Sequence, residues 1–501
     1  MNTLNDLQKQ YSPLQNSTST ERESSMNKTK VCTTPEVNNL SPLPRLYRRR
    51  SFLRGTGFGA RGSATKRRPR ALSLISISRP LREYASKKTL DSIASAKLLV
   101  LLISLAVLAL PTLLMAQAGT LDPTFGINGI VTTANTGANA AALQSDGKIV
   151  VAGSIATMQN GQQTGLLRYN TDGTLDASFG TGGKVLIGAT NAGPAFAVAI
   201  QTDRKVLAAA PANLRLTVFR FNTNGSVDNT FGNNGSVAIQ AAGLFLPPAS
   251  GGIALQSDGK ILVASARIVA RLLTNGQLDS TFGSNGAAPT VGGDSVALLP
   301  NGNILVGTGS VTSLYAPNGS RDAGFGVHGQ TPGFAFNDAG GFVVATNGTG
   351  VTPKIITAGS IFTSPDLMFT HSVSGFLLVT YNTDGTIDNS FGKHGGVATP
   401  FPGNILAHAF ALAVQKNGQI VAAGQTALTD VDAAPGPSDF ALVRYNFNGS
   451  IDTTFGNGGF VSTPFGTSEA FANTVLIQID GKIIAVGNSN NGTTVARYLA
   501  N

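Results

Sequence analysis

The 501 residues carry a net charge of +10, with one cysteine and no tryptophan. That charge is unevenly spread: residues 1–118 hold 19 Lys/Arg against 6 Asp/Glu, and residues 119–501 hold 17 against 20. A net-acidic body excludes a general nucleic-acid-binding face, which needs positive charge to match phosphate. Confining the cysteine, Cys32, to the first segment excludes disulfides and thiolate metal sites from the rest.

Residues 1–96 are rich in Ser, Thr, Asn, Arg and Pro, with apolar residues too scattered for a core, so this segment is expected to be a disordered basic leader. Its length ahead of an export signal also admits a translation start further along the chain. Within it, RRRSFLR at 48–54 has the look of a twin-arginine motif, but its apolar run begins 43 residues after Arg54 and a solvated basic run is the plainer reading. Residues 97–118 follow as KLLVLLISLAVLALPTLLMAQA. A basic flank, an apolar stretch broken at Pro111 and the small-x-small end Ala116-Gln117-Ala118 predict a signal peptide cut after Ala118. The alternative is an uncleaved anchor over 98–116, the only membrane contact foreseen. Both place the body outside the cytoplasm: secreted, periplasmic or at the cell surface.

From residue 119 onward a single pattern recurs seven times: LDPTFGING (121–129), LDASFGTGG (175–183), VDNTFGNNG (227–235), LDSTFGSNG (278–286), RDAGFGVHG (321–329), IDNSFGKHG (387–395) and IDTTFGNGG (451–459). Phe125 and Phe455 are 330 residues apart over six intervals, a mean period of 55. Each unit adds two hairpin signals. One is LQSDGKIVVAG (143–153) and its echoes; the other is LRYNTDGTLD (167–176) and its echoes. Asp-Gly or Asn-Gly between β-rich runs is a strong short hairpin signal. Four strands per unit, a to d, predict an all-β, seven-bladed β-propeller over 119–501. Strand a is FAVAIQ (196–201) and its equivalents, b is KIVVAG, c is LLRYN, and d is expected to start at TLD, either stopping there or running on through the GKV-type residues that follow. The chain ends as VARYLAN where a c strand enters its turn, and GTLDPTFG (119–126) begins where that turn exits. The ring is therefore expected to close by pairing its N- and C-terminal strands, with 119–126 beside Tyr498.

These motifs resemble the secreted bacterial delta-60 repeat family, whose signature is LQxDGKIVVAG…RYNxDGxLDxxFGxxG, over all of 119–501. Blades 4 and 5 depart most, with Leu314 in place of the Arg and Ala323-Gly324 before Phe325. The resemblance implies a propeller-like fold and export, and assigns no activity.

Four constellations carry chemistry in principle. The oxygens of Asn170, Asp172 and Asp176 could suggest a calcium loop, but three are too few, and an Asx-type turn explains them. His328 and His394 share a repeat position that Asn and Gly fill elsewhere, which marks a left-handed turn rather than a metal pair. Arg168, Arg220, Arg271, Arg444 and Arg497 recur on strand c, toward the outside of each blade, and are expected to lie flat with paired heads rather than converge on an anion. The inner strands, read as NAAALQ, FAVAIQ, GIALQ, SVALLP, FVVAT, FALAVQ and NTVLIQ, carry no ionisable residue, which argues against acid–base catalysis at the axis.

No catalytic, cofactor or metal residue is assigned. The asymmetry lies in the b–c connections, long at 361–375 and 425–439 and moderate at 155–164. The expected function is a non-catalytic, monomeric scaffold that binds a protein or polymer ligand, not nucleic acid, through that face. Two alternatives stay open: an extracytoplasmic lyase or hydrolase gathering His371, His408, Glu469, Asp430 or Asp432, and a structural envelope protein. Without tryptophan, glycan binding is expected to be weak.

Overall fold

Strands b and c are short, continuous apolar runs because both of their faces are covered. In the computed structural model strand b of blade 1 (Ile149–Thr157) is buried along seven successive residues, and its alternate side chains face opposite neighbours. Val150 and Ala152 join Val206, Ala208 and Phe221 of blade 2, whereas Ile149 and Val151 join Ile484, Val486 and Val495 of blade 7. The core is thus seven inter-blade layers, each supplied by two sheets. The structure describes residues 117–157, 161–188, 192–239, 250–265, 267–308, 310–333, 338–345, 353–363, 373–403, 406–427, 437–467, 469–489 and 492–500. The expectations for 1–96 and for 97–116, and those for His371, Asp430 and Asp432, lie outside these residues.

Among the described residues there is no helix, and the strands form seven antiparallel sheets. Each blade runs a-b-c-d from the axis outward. The a strands are Thr136–Leu143, Ala197–Ile200, Gly252–Leu255, Ser295–Leu298, Asp338–Ala345, Leu406–Val414 and Ala470–Ile477. They pack one against the next around the ring, and the last meets the first. This is a seven-bladed propeller. Six blades have four strands; in blade 4 a single bridge from Ser313 to Gln330 takes the place of strand d.

Three details differ from the sequence reading. Strand d does not start at TLD. Leu175 makes one bridge to Tyr169, the chain then bends through the Phe-Gly segment, and the outer strand is Lys184–Leu186 and its equivalents. Closure follows the same rule. Residue Leu121 only bridges Tyr498, and the strand that completes blade 7 is Ile130–Thr133, in register with Ala496 to Thr493. In blades 1, 5, 6 and 7 the inner strands also start earlier than read, so His408, and the backbone of Asp338, belong to them. The turn reading of His328 and His394 holds: their φ values are 53° and 54°, beside 52° at Asn128 and 59° at Gly182.

Candidate functional site

The recurring polar residues of the repeat meet at one point in blades 1, 2, 3, 6 and 7. Strand c carries the Arg, the turn after it delivers the Asp, and the Lys immediately precedes strand b. In blade 1 Asp176 lies 2.7 Å from both Arg168 Nε and Lys148 Nζ. Blade 2 repeats this with Asp228, Arg220 and Lys205, blade 3 with Asp279, Arg271 and Lys260, and blade 7 with Asp122, Arg497 and Lys482. In blade 6 Gln419 replaces the Lys beside Asp452 and Arg444. The guanidinium lies over the Phe of the same repeat, 4.3 Å from its centroid at Phe179 and 4.6 Å at Phe125.

Each guanidinium also reaches forward. Arg168 donates to Thr223 O, Arg220 to Thr274 O, Arg271 to Pro317 O, Arg444 to Ala500 O and Arg497 to Thr171 O, all in the c–d turn of the next blade. In blades 1, 6 and 7 the residue after the Arg is a tyrosine that reaches back. The Tyr169 hydroxyl meets Thr133, Tyr445 donates to Thr399, and Tyr498 meets Thr463, each on strand d of the preceding blade. Burial raises these phenols, Tyr169 to about 12. The Arg-Tyr pair therefore staples a blade to both neighbours, and the five arginines do not converge. Asp172 likewise serves its own turn, accepting the Thr174 N–H and hydroxyl.

Blade 4 has lost the whole cluster together: Leu314 and Asn303 stand where Arg and Lys would, and Asp322 is exposed. Its Arg321 donates to the carbonyls of His328 and Gly329. In blade 5 Thr380 replaces the Arg, and Lys354 alone pairs Asp388 at 3.1 Å.

These carboxyls are strongly acidic. Burial pushes Asp122 up, but the Thr124 hydroxyl and N–H, Lys482 and Arg497 outweigh it and leave it at about 2. At Asp279 the Thr281 hydroxyl leads, opposed by burial and helped by the Thr281 N–H and Arg271, again giving about 2. In Asp176 and Asp228 burial is likewise overcome by Ser178 or Thr230 and by Lys148 or Lys205, and both fall well below the usual carboxylate range. A carboxyl more acidic when folded contributes stability that is complete above its unfolded value, near pH 4, and lost as pH falls toward the folded value. The melting temperature should therefore hold from about pH 7 to 5 and drop below about pH 4, at roughly 2 kcal/mol per cluster. A flat profile down to about pH 2.5 would count against the clusters as stabilisers.

With the repeat motif spent on staples, the candidate site lies where the repeats differ. Strand a carries a β-bulge in blades 1, 5, 6 and 7, at Asn139, Gly340-Gly341, Phe410 and Asn473. The residue paired beside each bulge on strand b is a glycine: Gly153, Gly359, Gly424 and Gly487. A Cβ at Gly153, Gly424 or Gly487 would overlap the carbonyl oxygen of Gly137, His408 or Phe471 respectively, so the glycine is what admits the bulge. Blades 2, 3 and 4 have Ala210, Ser265 and Thr308 there, and no bulge.

The bulges form one contiguous arc, blades 5-6-7-1, at the starts of the a strands. Antiparallel pairing puts those starts at the same face as the b–c connections. The connections there also differ from the reading: strands b and c of blade 5 extend to Thr363 and from Val373, and those of blade 6 to Ala427 and from Ser438. Along the arc the Phe410 ring stands edge-on to Phe471 at 6.3 Å, and His408 stacks on Phe410 at 6.2 Å. Asn473 donates to Ala138 O and Asn139 to Ala195 O, each in the next blade. Asn139 is exposed; Phe410, Phe471 and Asn473 are half-buried. Of the residues proposed for catalysis, His408 is buried within strand a of blade 6, and Glu469 is exposed just before strand a of blade 7. Among the described residues no three His, Cys, Asp or Glu side chains gather as a metal set.

Residues 144–179, 201–231, 256–282 and 415–455 match a family described as "Domain of unknown function (DUF5122) beta-propeller". These four segments are similar to a β-propeller repeat family. The matched segments each span the end of strand a through to the Phe-Gly bend, so they include the stapling residues of blades 1, 2, 3 and 6. No curated protein matches the propeller. Among solved structures it is similar to virginiamycin B lyase from Staphylococcus aureus at 11% identity, covering 74% of this chain and 99% of that one, with a TM-score of 0.45. It is also similar to Drosophila Plexin A in complex with Semaphorin 1b (10%, 77% and 88%, TM-score 0.40). A third similarity is to the PQQ-bound aldose sugar dehydrogenase of Streptomyces coelicolor (10%, 74% and 97%, TM-score 0.33). At these identities the likeness extends to the fold alone.

Proposed function

We propose that this propeller is an exported, non-catalytic, monomeric binding scaffold that takes a protein or polymer ligand at the mouth of its ring, on the face of the b–c connections. The observation that carries the reading is the arc of bulges. Bulges re-aim side chains and collect beside functional sites, and these four break the ring's symmetry on one side only. The arc offers two half-buried phenylalanine rings, one of them backed by the buried His408 imidazole, and two amides whose donors are held by the neighbouring blade. Rings beside oriented amides suit an apolar or aromatic group that carries hydrogen-bond donors, as in a peptide segment. Export and location rest on residues 97–118.

The test pairs two substituted chains in binding assays against secreted proteins and envelope polymers. Phe410→Ala with Phe471→Ala should weaken binding at least about tenfold, the loss of roughly 1.4 kcal/mol or more expected for hot-spot aromatics. Ile479→Ser, in an a–b turn on the opposite face, should leave it unchanged. The reverse pattern would overturn the assignment of the face, and turnover of the bound ligand would overturn the non-catalytic reading.

A further inference from the structure

The c–d turn is made seven times, six times by continuous chain and once by residues 499–500 with residues 118–120. In blade 1 the Asn170 N–H donates to Thr174 O and the Gly173 N–H to Asn170 O. In blade 7 the Leu499 N–H donates to Thr120 O at 2.9 Å and the Gly119 N–H to Leu499 O at 2.8 Å. Leu499, Ala500, Ala118, Gly119 and Thr120 therefore take the places of Asn170, Thr171, Asp172, Gly173 and Thr174. The conformation matches, with φ of 85° at Gly119 and 90° at Gly173.

The place of Asp172 has a duty in every blade. Its carbonyl accepts the N–H of the Phe-Gly glycine of the preceding blade: Gly126 to Asp172, Gly180 to Asn224, Gly232 to Asn275, Gly283 to Asn318, Gly326 to Asp384 and Gly392 to Asn448. The seventh bond is Gly456 N–H to Ala118 O, at 2.7 Å. Ala118 is itself buried in the layer between blades 6 and 7. Gln117 adds to the join: its carbonyl accepts the Thr120 N–H and hydroxyl, and its side-chain amide donates to Gly456 O.

We infer that the working ring retains Gln117 and Ala118, so the export cut falls before Gln117 and not after Ala118. The inference rests on the export reading above for the existence of a cut, and on the closing turn for its position. Hydrolysis of the Ala118–Gly119 bond would turn the Gly119 amide into an ammonium that still donates to Leu499 O. The Ala118 carbonyl, now a carboxylate, would depart with the released peptide and leave the Gly456 N–H without its acceptor. Hydrolysis of the Ala116–Gln117 bond by water, with the carboxylate on Ala116 and the ammonium on Gln117, leaves all seven bonds whole. Ala116 provides the small residue immediately before this cut, with Leu114 standing where the small-x-small pattern has its other small residue, so the position of the cut rests on the closing turn.

The experiment is intact-mass and N-terminal peptide analysis of the exported protein, with hydrogen exchange on the same sample. A chain beginning at Gln117 or earlier is expected, with the Gly456 amide exchanging within about tenfold of its equivalents Gly126, Gly180 and Gly232. A chain beginning at Gly119 overturns the inference. So does a Gly456 amide exchanging some 10- to 100-fold faster than those equivalents, the range that one lost buried hydrogen bond implies. Full-length chain found uncut in the cytoplasm would overturn the export reading and the cut with it. Exchange at Gly456 would still judge whether the ring uses Ala118.

Discussion

Deleting residues 117–133 should collapse the melting temperature of the ring or leave it aggregated, whereas deleting 1–96 should leave it unchanged. The longer-reaching effect comes from removing the outer strand of blade 7, Ile130–Thr133, which exposes the edge of Gly492–Tyr498. The same deletion withdraws Asp122 from Arg497 and Lys482, and Thr133 from the Tyr169 hydroxyl. Phe125, wholly buried between blades 7 and 1, leaves a void. Burying a Phe is worth about 1.5–3 kcal/mol and breaking a buried ion pair costs about 3–5, against a typical total of about 5–15. Equal melting temperatures for the two deletions would mean that the ends do not close the ring.

Replacing Asp228 by alanine should cost about 3–5 kcal/mol, since Arg220 is left buried over Phe231 with its charge unmatched. The ring contains its own control. In blade 4 the equivalent Asp322 is exposed, and Leu314 and Asn303 replace the cations, so Asp322→Ala should stay within about 0.5 kcal/mol. Urea denaturation of both variants checks the contrast. An Asp322→Ala as damaging as Asp228→Ala would show that the cluster is not what stabilises a blade.

Much of the fold is legible in the sequence because the repeat fixes it locally. Asn-Gly and Asp-Gly turns need left-handed backbone, so the hairpins, the blade count and the turn role of His328 and His394 follow from residue type. The Arg, Asp and Lys of each repeat are visible, but not that they meet, since strand b, strand c and the bend are brought together only by the sheet. Strand d is misplaced by composition: TLD has the residues of a strand, yet Asp176 bonds the Ser178 N–H and turns the chain before it can pair. The bulges escape a sequence reading although their signal is present: glycine at 153, 359, 424 and 487 against Ala210, Ser265 and Thr308. Interpreting that contrast requires knowing that a strand b residue faces a neighbouring carbonyl, which depends on tertiary register. For the same reason His408 reads as a loop residue: the bulge lets strand a run further back than its apolar core suggests.

The break inside the c–d turn separates chain order from ring order. Residues 118–120 and 499–500 meet within one hairpin whose remaining bonds are those of the other six, so the ring could be opened at any of its c–d turns. Joining Ala500 to Ala118 and opening Asn170–Thr174 instead would return the same ring with blade 1 closing it. Gene duplication gains the same freedom. Inserting or losing one whole repeat shifts neither end relative to its turn, so the blade number can change by recombination while the closure stays as it is.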